Sequence, residues 1–224
     1  CNSSFANIGM SLDRTAFQET LNDLLFNKEL PLTLNYARSS ALVSDDTPPA
    51  EMMQTSIGQG KTQITPMHLN MITCAIANNG VMVRPKFVKA AVKDGEVVKE
   101  YPTEVINPKI CSDHTLTQIR EILRKVVSQG LAKPAGSKQF SVSGKTGTAQ
   151  ISQGAAGYKS GRVNYLVSFC GYFPSEAPKY SCIVSIQKPG LPASGGLMAG
   201  SVFGKIAERV YAKDLRFDIR SAID

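Results

Sequence analysis

Apolar positions recur along this chain with two different periods, and the change between them divides it. Over residues 12–27, Phe17, Leu21, Leu24 and Leu25 fall at i, i+4, i+7 and i+8, one face of an amphipathic helix. Residues 28–56 hold no sustained period, and Asp45-Asp46-Thr47-Pro48-Pro49 marks a loop by its turn chemistry. The next helix is punctuated at both ends. Thr65 suits the N-cap, Pro66 the first helical position and Gly80 the C-terminal stop. Its apolar face is Met67, Met71, Cys74 and Ala75, with Leu69, Ile72 and Ile76 beside it, so it reads as mostly buried. Short runs at 87–92 and 97–101 then flank Asp94-Gly95, a pair that favours the positive φ angles of a tight hairpin. Residues 113–129 return to helical spacing through Leu116, Ile119, Leu123, Val126 and Val127, with Asp113 as the expected cap and Gly130 as the end.

From residue 140 the pattern is β. Runs at 140–150, 165–173 and 180–187 read as strands, and the last two are joined by Pro174-Ser175-Glu176-Ala177-Pro178-Lys179. The Gly- and Ser-rich residues 151–162 read as a flexible loop. A glycine-rich stretch leads to a closing helix at 201–213, with Val202, Phe203, Ile206, Val210 and Tyr211 on its face, and 214–224 reads as a polar tail or linker. Helices first, then strands, then a helix predicts an α+β fold, an antiparallel sheet packed with helices. A parallel sheet needs a crossover between the late strands, and six residues cannot supply one.

Composition narrows the field. The 224 residues are 42% apolar and 19% charged, globular and long enough to bury a core. The formal charge is +7, but the basic residues form no stripe along the sequence, aromatics are 7% and Trp is absent, which argues against a nucleic-acid partner. Either a mildly basic surface or an anionic partner accounts for the charge. Five cysteines form no C-x-x-C pair and the two histidines lie far apart, so zinc is not expected. Cys74, Cys170 and Cys182 sit in apolar patterns and read as buried thiols, and an odd count argues against a disulfide framework. There is no run of 18 apolar residues of the kind that spans a membrane, and no signal peptide is visible. A chain that opens at Cys1 without Met reads as a piece of something longer.

The chemistry concentrates in Ser143-Gly144-Lys145-Thr146-Gly147-Thr148-Ala149-Gln150. A phosphate-binding P-loop requires Gly, four residues, then Gly-Lys-Ser/Thr at the start of a helix. Gln139 and Thr55 stand where the two candidate segments need that first Gly, and the residues after Lys145 are poor helix formers. The Lys-Thr-Gly strand of penicillin-interacting serine enzymes fits a β-rich context better. Lys145 would favour a substrate carboxylate, Gly147 would let a peptide lie against the strand, and Thr146 and Thr148 would offer hydroxyls. For a bare tripeptide an exposed strand with a bulge is the simpler reading, and the flanks reverse it.

With those flanks the chain resembles class B penicillin-binding proteins. Ser141 through Gln150 is similar to their third motif, and Phe169-Cys170-Gly171-Tyr172-Phe173-Pro174 with Lys179-Tyr180 to the following strands. Ser56-Ile57-Gly58-Gln59-Gly60, Ile64-Thr65-Pro66-Met67-His68-Leu69 and Ile76-Ala77-Asn78-Asn79-Gly80 are similar to the helical segment between the second and third motifs. Cys1-Asn2-Ser3-Ser4-Phe5 resembles the second motif, Ser-x-Asn, entered one residue late. The resemblance implies the C-terminal part of one transpeptidase domain over 1–213, with 1–80 mainly helical, 81–139 a hairpin and helix, and 140–213 strands and a closing helix. It implies Asn2, Lys145 and Thr148 as catalytic residues, Thr146 and Gly147 against the substrate, and Gln59 and Gln150 at the cleft border. Asn2 reads equally well as a helix cap.

The implied activity is peptidoglycan D,D-transfer through an acyl-serine, with no metal or organic cofactor, outside the cytoplasmic membrane and anchored by upstream sequence. The implied partners are the D-Ala-D-Ala stem peptide, β-lactams, the missing N-terminal part of the same protein and divisome or elongasome proteins. A D,D-carboxypeptidase and a non-catalytic β-lactam sensor or wall-binding module are the alternatives. The first motif, Ser-x-x-Lys, occurs only as Ser185-Ile186-Gln187-Lys188, after the Lys-Thr-Gly strand and with its two key residues on opposite faces of a strand. The chain alone is therefore expected to be inactive. His68 and His114 sit near no plausible nucleophile and read as structural or exposed.

Overall fold

The computed structural model describes residues 1–151 and 163–221. The chain forms two compact units, Cys1–Leu116 and Thr117–Asp224.

In the first unit the helix expected over 12–27 forms as α2 (Arg14–Asp23), shorter at both ends, and it is preceded by α1 (Asn2–Ser11). Leu12 leaves α1 in an extended conformation, and Asp13 starts α2 by accepting the N–H of Ala16 at 2.8 Å. α2 stops early because Leu25 and Asn27 adopt left-handed φ angles of 72° and 61°. Such residues cost on the order of 1–3 kcal/mol each and need surroundings that fix them. Asn27 donates to the Ala41 carbonyl at 2.8 Å and accepts from the Ala41 N–H at 3.0 Å. His68 Nε2 lies 2.6 Å from the Leu24 carbonyl. Beneath this turn Leu21, Phe26, Ala41, Val43 and Met52 form a buried cluster.

α3 (Pro49–Ser56) falls in the stretch where only a loop was expected, and the loop at 45–48 precedes it. Its signal was Pro49 at the first position and Glu51 in the first turn. α4 (Pro66–Ala77) follows its punctuation. Thr65 Oγ1 accepts the His68 N–H at 3.3 Å, and the Gly80 N–H returns to the Ala75 carbonyl at 2.8 Å. β1 (Met82–Val83) precedes the hairpin of β2 (Ala90–Lys93) and β3 (Glu96–Glu100), which turns at Asp94 and Gly95 with φ of 52° and 88°. β4 (Val105–Asn107) comes back antiparallel to β1.

α5 (Asp113–Ser128) spans the boundary between the units. Its cap is Ser112, whose hydroxyl accepts the Thr115 N–H at 3.1 Å, while Asp113 instead pairs with Lys109 at 3.0 Å. The second unit holds β5 (Ser143–Ile151), β6 (Asn164–Phe173) and β7 (Tyr180–Pro189), antiparallel in the order β5-β6-β7. No strand among the described residues pairs with the outer edge of β5 or of β7. A π-helical turn at Gly195–Ala199 leads into α6 (Gly200–Ser221), which continues through most of the stretch expected as a tail. The loop expected at 152–162 and the last residues, 222–224, lie outside the described residues.

The sheet packs one face on α6. Phe169 meets Phe203 edge-on at 4.7 Å between ring centroids, and Phe173 meets it at 5.8 Å, pairs worth about 0.5–1.5 kcal/mol each beyond their burial. Val127, Phe140, Ala199 and Ala207 complete this core. The face of α6 is therefore Phe203, Ala207, Val210 and Tyr211, whereas Val202 and Ile206, expected inside, are 41% and 39% exposed. Helices with antiparallel sheets make this an α+β fold.

His68 gives a pH test of the first unit. Its ring is fully buried, tilted against Phe26 at 4.9 Å, and Nδ1 has no hydrogen-bond partner among the described residues. Burial holds its pKa below 6.5, against a smaller opposing effect of the Leu24 carbonyl. The unfolded chain therefore takes up this proton first. His68 contributes fully above about pH 6.5, and stability falls as pH drops from there towards the lowered pKa, by at most about 1.4 kcal/mol per pH unit. Thermal melting should show this loss, and His68→Gln, which keeps a donor for Leu24, should flatten it. An unchanged pH profile in that variant would refute the assignment.

Candidate functional site

β5 carries the chemistry-bearing residues. It pairs with β6 in continuous register without a bulge: Lys145 opposite Cys170, Thr146 opposite Phe169, Gly147 opposite Ser168 and Thr148 opposite Val167. Directly opposed residues share a sheet face. Thr146 and Thr148 thus lie on the face packed against α6, and Lys145 and Gly147 lie on the other. All of them share the outer margin of β5. Lys145 and Thr148 are exposed, and Thr146 and Gly147 are half-buried.

Lys145 Nζ donates to the Thr146 carbonyl at 2.8 Å. The protein around its ammonium removes enough water to hold its pKa below the ordinary lysine value. Thr148 Oγ1 accepts the Gly195 N–H at 3.2 Å, which fixes that side chain from the π-helical turn.

Two glycines make this geometry possible. A Cβ on Gly144 would meet the Cys170 carbonyl at 2.6 Å as well as the Phe169 ring. A Cβ on Gly195 would meet the Ser168 carbonyl at 2.6 Å and the Gly147 carbonyl closer still. Backbone therefore packs on backbone beneath Gly147. The sequence offered no signal for Gly195 beyond a glycine-rich stretch, because the contact joins residues far apart in the chain.

The start of β5 is stapled to the connection between β6 and β7. Ser143 Oγ donates to Ser175 Oγ at 2.8 Å in the interior. The Ser175 N–H donates to Ser141 Oγ at 2.9 Å, and the Ser141 hydroxyl donates to Glu176, chiefly lowering that carboxyl's pKa. Ser141 and Ser143 are thus anchors of the strand.

Other expectations resolve locally. Asn2 is exposed within the first turn of α1, and the cap position belongs to Cys1, which makes no side-chain cap bond, so Asn2 is not a cap. Gln59 is half-buried after α3, its N–H bonded to the Gln54 carbonyl at 2.9 Å, and Gln150 is exposed opposite Tyr165. Gly144-Lys145 lies inside a strand and the Gly58–Gly60 segment follows a helix, so neither opens a helix as a phosphate loop must. Ser185 and Lys188 both lie in β7, three apart, and Lys188 Nζ turns to the Pro189 and Gly190 carbonyls at 3.2 and 3.4 Å. His114 is exposed and His68 is committed to Leu24.

Residues 1–208 match the family described as penicillin binding protein transpeptidase domain. Stage V sporulation protein D of Bacillus subtilis is 28% identical over 214 residues, covering 92% of this chain and 32% of its own length. The D,D-transpeptidase domain of a peptidoglycan glycosyltransferase from Eggerthella lenta superposes with a TM-score of 0.78 at 21% identity, over 96% of this chain and 52% of that one. Penicillin-binding protein A of M. tuberculosis, solved as a ceftriaxone acyl-enzyme complex, gives 0.75 at 21%, over 93% and 46%. The chain thus spans about a third of the length of the sporulation protein and about half of the solved domains.

Gly195 supplies a sharp test. Gly195→Ala should cost about 1–3 kcal/mol by overpacking against the Gly147 and Ser168 carbonyls. The melting temperature should fall, and the amide NMR signals of Gly147 and Thr148 should shift most. A neutral substitution would mean that the turn does not bear on β5.

Proposed function

Since this chain belongs to the family of penicillin-binding protein transpeptidase domains, we propose that it forms part of a peptidoglycan D,D-transpeptidase. Such an enzyme cross-links stem peptides through an acyl-serine and takes β-lactams as substrate mimics. The observation that carries the proposal is the position of Lys145-Thr146-Gly147-Thr148 on a strand whose outer edge has no partner strand among the described residues. A peptide ending in D-Ala-D-Ala can add there as one more strand, held by main-chain hydrogen bonds.

In this reading Lys145 attracts the terminal carboxylate, with Thr146 and Gly147 beside it. The Thr148 N–H donates to the oxyanion as serine Oγ adds to the penultimate carbonyl. The C–N bond breaks, D-Ala leaves with the proton, and an amine of a second stem peptide then takes the acyl group and frees the serine. Asn2 binds the substrate amide, and Gln59 and Gln150 border the cleft. The attacking serine comes from sequence outside this chain, since its one Ser-x-x-Lys lies on β7 in unusable geometry. The continuous family match supports residues 1–213 as part of one such domain, working outside the cytoplasmic membrane. Among the described residues no helix is long and apolar enough to cross a membrane, so anchoring is assigned to sequence outside this chain.

Fluorescent penicillin should leave this chain unlabelled and should label the longer protein that contains it. Within that protein, Lys145→Ala should slow acylation on the order of 10²-fold or more. Because the ammonium must stay protonated and its pKa is lowered, acylation should fall on the alkaline side with an inflection below about 10.4. Lys145→Arg should move that limb to higher pH. Labelling of the chain by itself would overturn the proposal.

A further inference from the structure

Charge is divided unequally between the two units. Thr117–Asp224 carries 15 Lys and Arg against 6 Asp and Glu, a net +9, while Cys1–Leu116 carries 10 against 12, a net −2. The overall +7 is therefore a property of the second unit, and part of it converges on one cleft.

That cleft holds about 680 Å³ between the end of α5, the segment leading into β5 and the side of α6. Arg124 and Ser128, one turn apart on α5, share its wall with Lys133, Lys138 and Ser137. Its floor is Val127, Phe140 and Val142, all buried members of the core, so the site is rigid below and cationic at the rim. Two carboxylates bear on it: Glu208 lines the cleft and accepts from Ser137 at 3.4 Å, and Glu176 accepts from Ser141 while standing 3.9 Å from Arg124. Lys133 and Lys138 have no ion-pair partner among the described residues.

Two of the last four carbonyls of α5 are met by backbone: the Gln129 and Gly130 N–H groups donate to the Lys125 carbonyl at 2.9 Å each, and the Ala132 N–H donates to that of Val126 at 3.1 Å. Three cations and the Ser128 hydroxyl against one lining carboxylate, around a buried floor and in a volume suited to a small ligand, match a multiply charged oxyanion. We infer that this cleft is a binding site for a phosphate-bearing anion, held by Arg124, Lys133 and Lys138. The inference is independent of acyl transfer on β5.

The test uses the chain as it stands, with pyrophosphate and a poly(glycerol phosphate) chain as probes, followed by calorimetry and amide chemical shifts. Saturable binding is expected, with shifts centred on residues 124–140 and affinity falling as salt rises. Lys133→Gln with Lys138→Gln should weaken it at least tenfold. Lys205→Gln with Arg209→Gln removes the same charge from a neighbouring groove on α6, which shares only Glu208 with the cleft, and should change it less than twofold. Pyrophosphate binding identifies a small phosphorylated ligand, and binding of the polymer alone identifies a chain ligand; both support the site. Equal weakening by the two double variants, or no saturation with either probe, would overturn it and leave only diffuse attraction. Penicillin labelling is read separately, so either outcome leaves the transpeptidase reading to its own test.

Discussion

The second unit depends on one packing constraint: the backbone of β5 must lie flat between β6 and the turn that opens α6. Gly144 and Gly195 permit that approach, and a methyl group at either would strike a carbonyl. The strand is anchored at its start through Ser143 and Ser175, braced at Thr148 by the Gly195 N–H, and backed by Phe169, Phe173 and Phe203. Its outer margin is thereby left free without being loose. In the proposed reading, a margin held this way takes a peptide without first being ordered.

Much of this was legible in the sequence. The hairpin at Asp94-Gly95, the punctuation of α4 and the three late strands were read from period and turn chemistry, and Lys145-Thr146-Gly147 stood out with its flanks. What escaped were features created by distant partners. α2 ends at Asp23 because Asn27 and His68 hold a turn through Leu25 that local propensity disfavours, and nothing near Leu25 in sequence announces it. α3 was hidden by the turn residues before it. The buried face of α6 was misjudged because Ala207 gives a weak apolar signal while Val202 and Ile206 give a strong one.

Charge was misread for a similar reason. Counted over the whole chain it looks mild and dispersed, yet the first unit is slightly acidic and the second strongly basic. No run of neighbouring residues reveals this, because Arg124, Lys133 and Lys138 reach a common cleft only through the bend between α5 and β5.

The sheet's two margins face opposite demands. The sheet proposed to take a peptide along β5 could equally invite a second copy of the chain along β7, and self-recognition of that kind is how sheets begin to stack into aggregates. β7 ends in Lys188 and Pro189, a charge and a residue with no N–H to give, but these guard only the end of a strand whose first eight residues, Tyr180 to Gln187, carry no charge. Among the described residues both borders of this three-stranded sheet lack a partner strand, and that of β7 is guarded only at its tip.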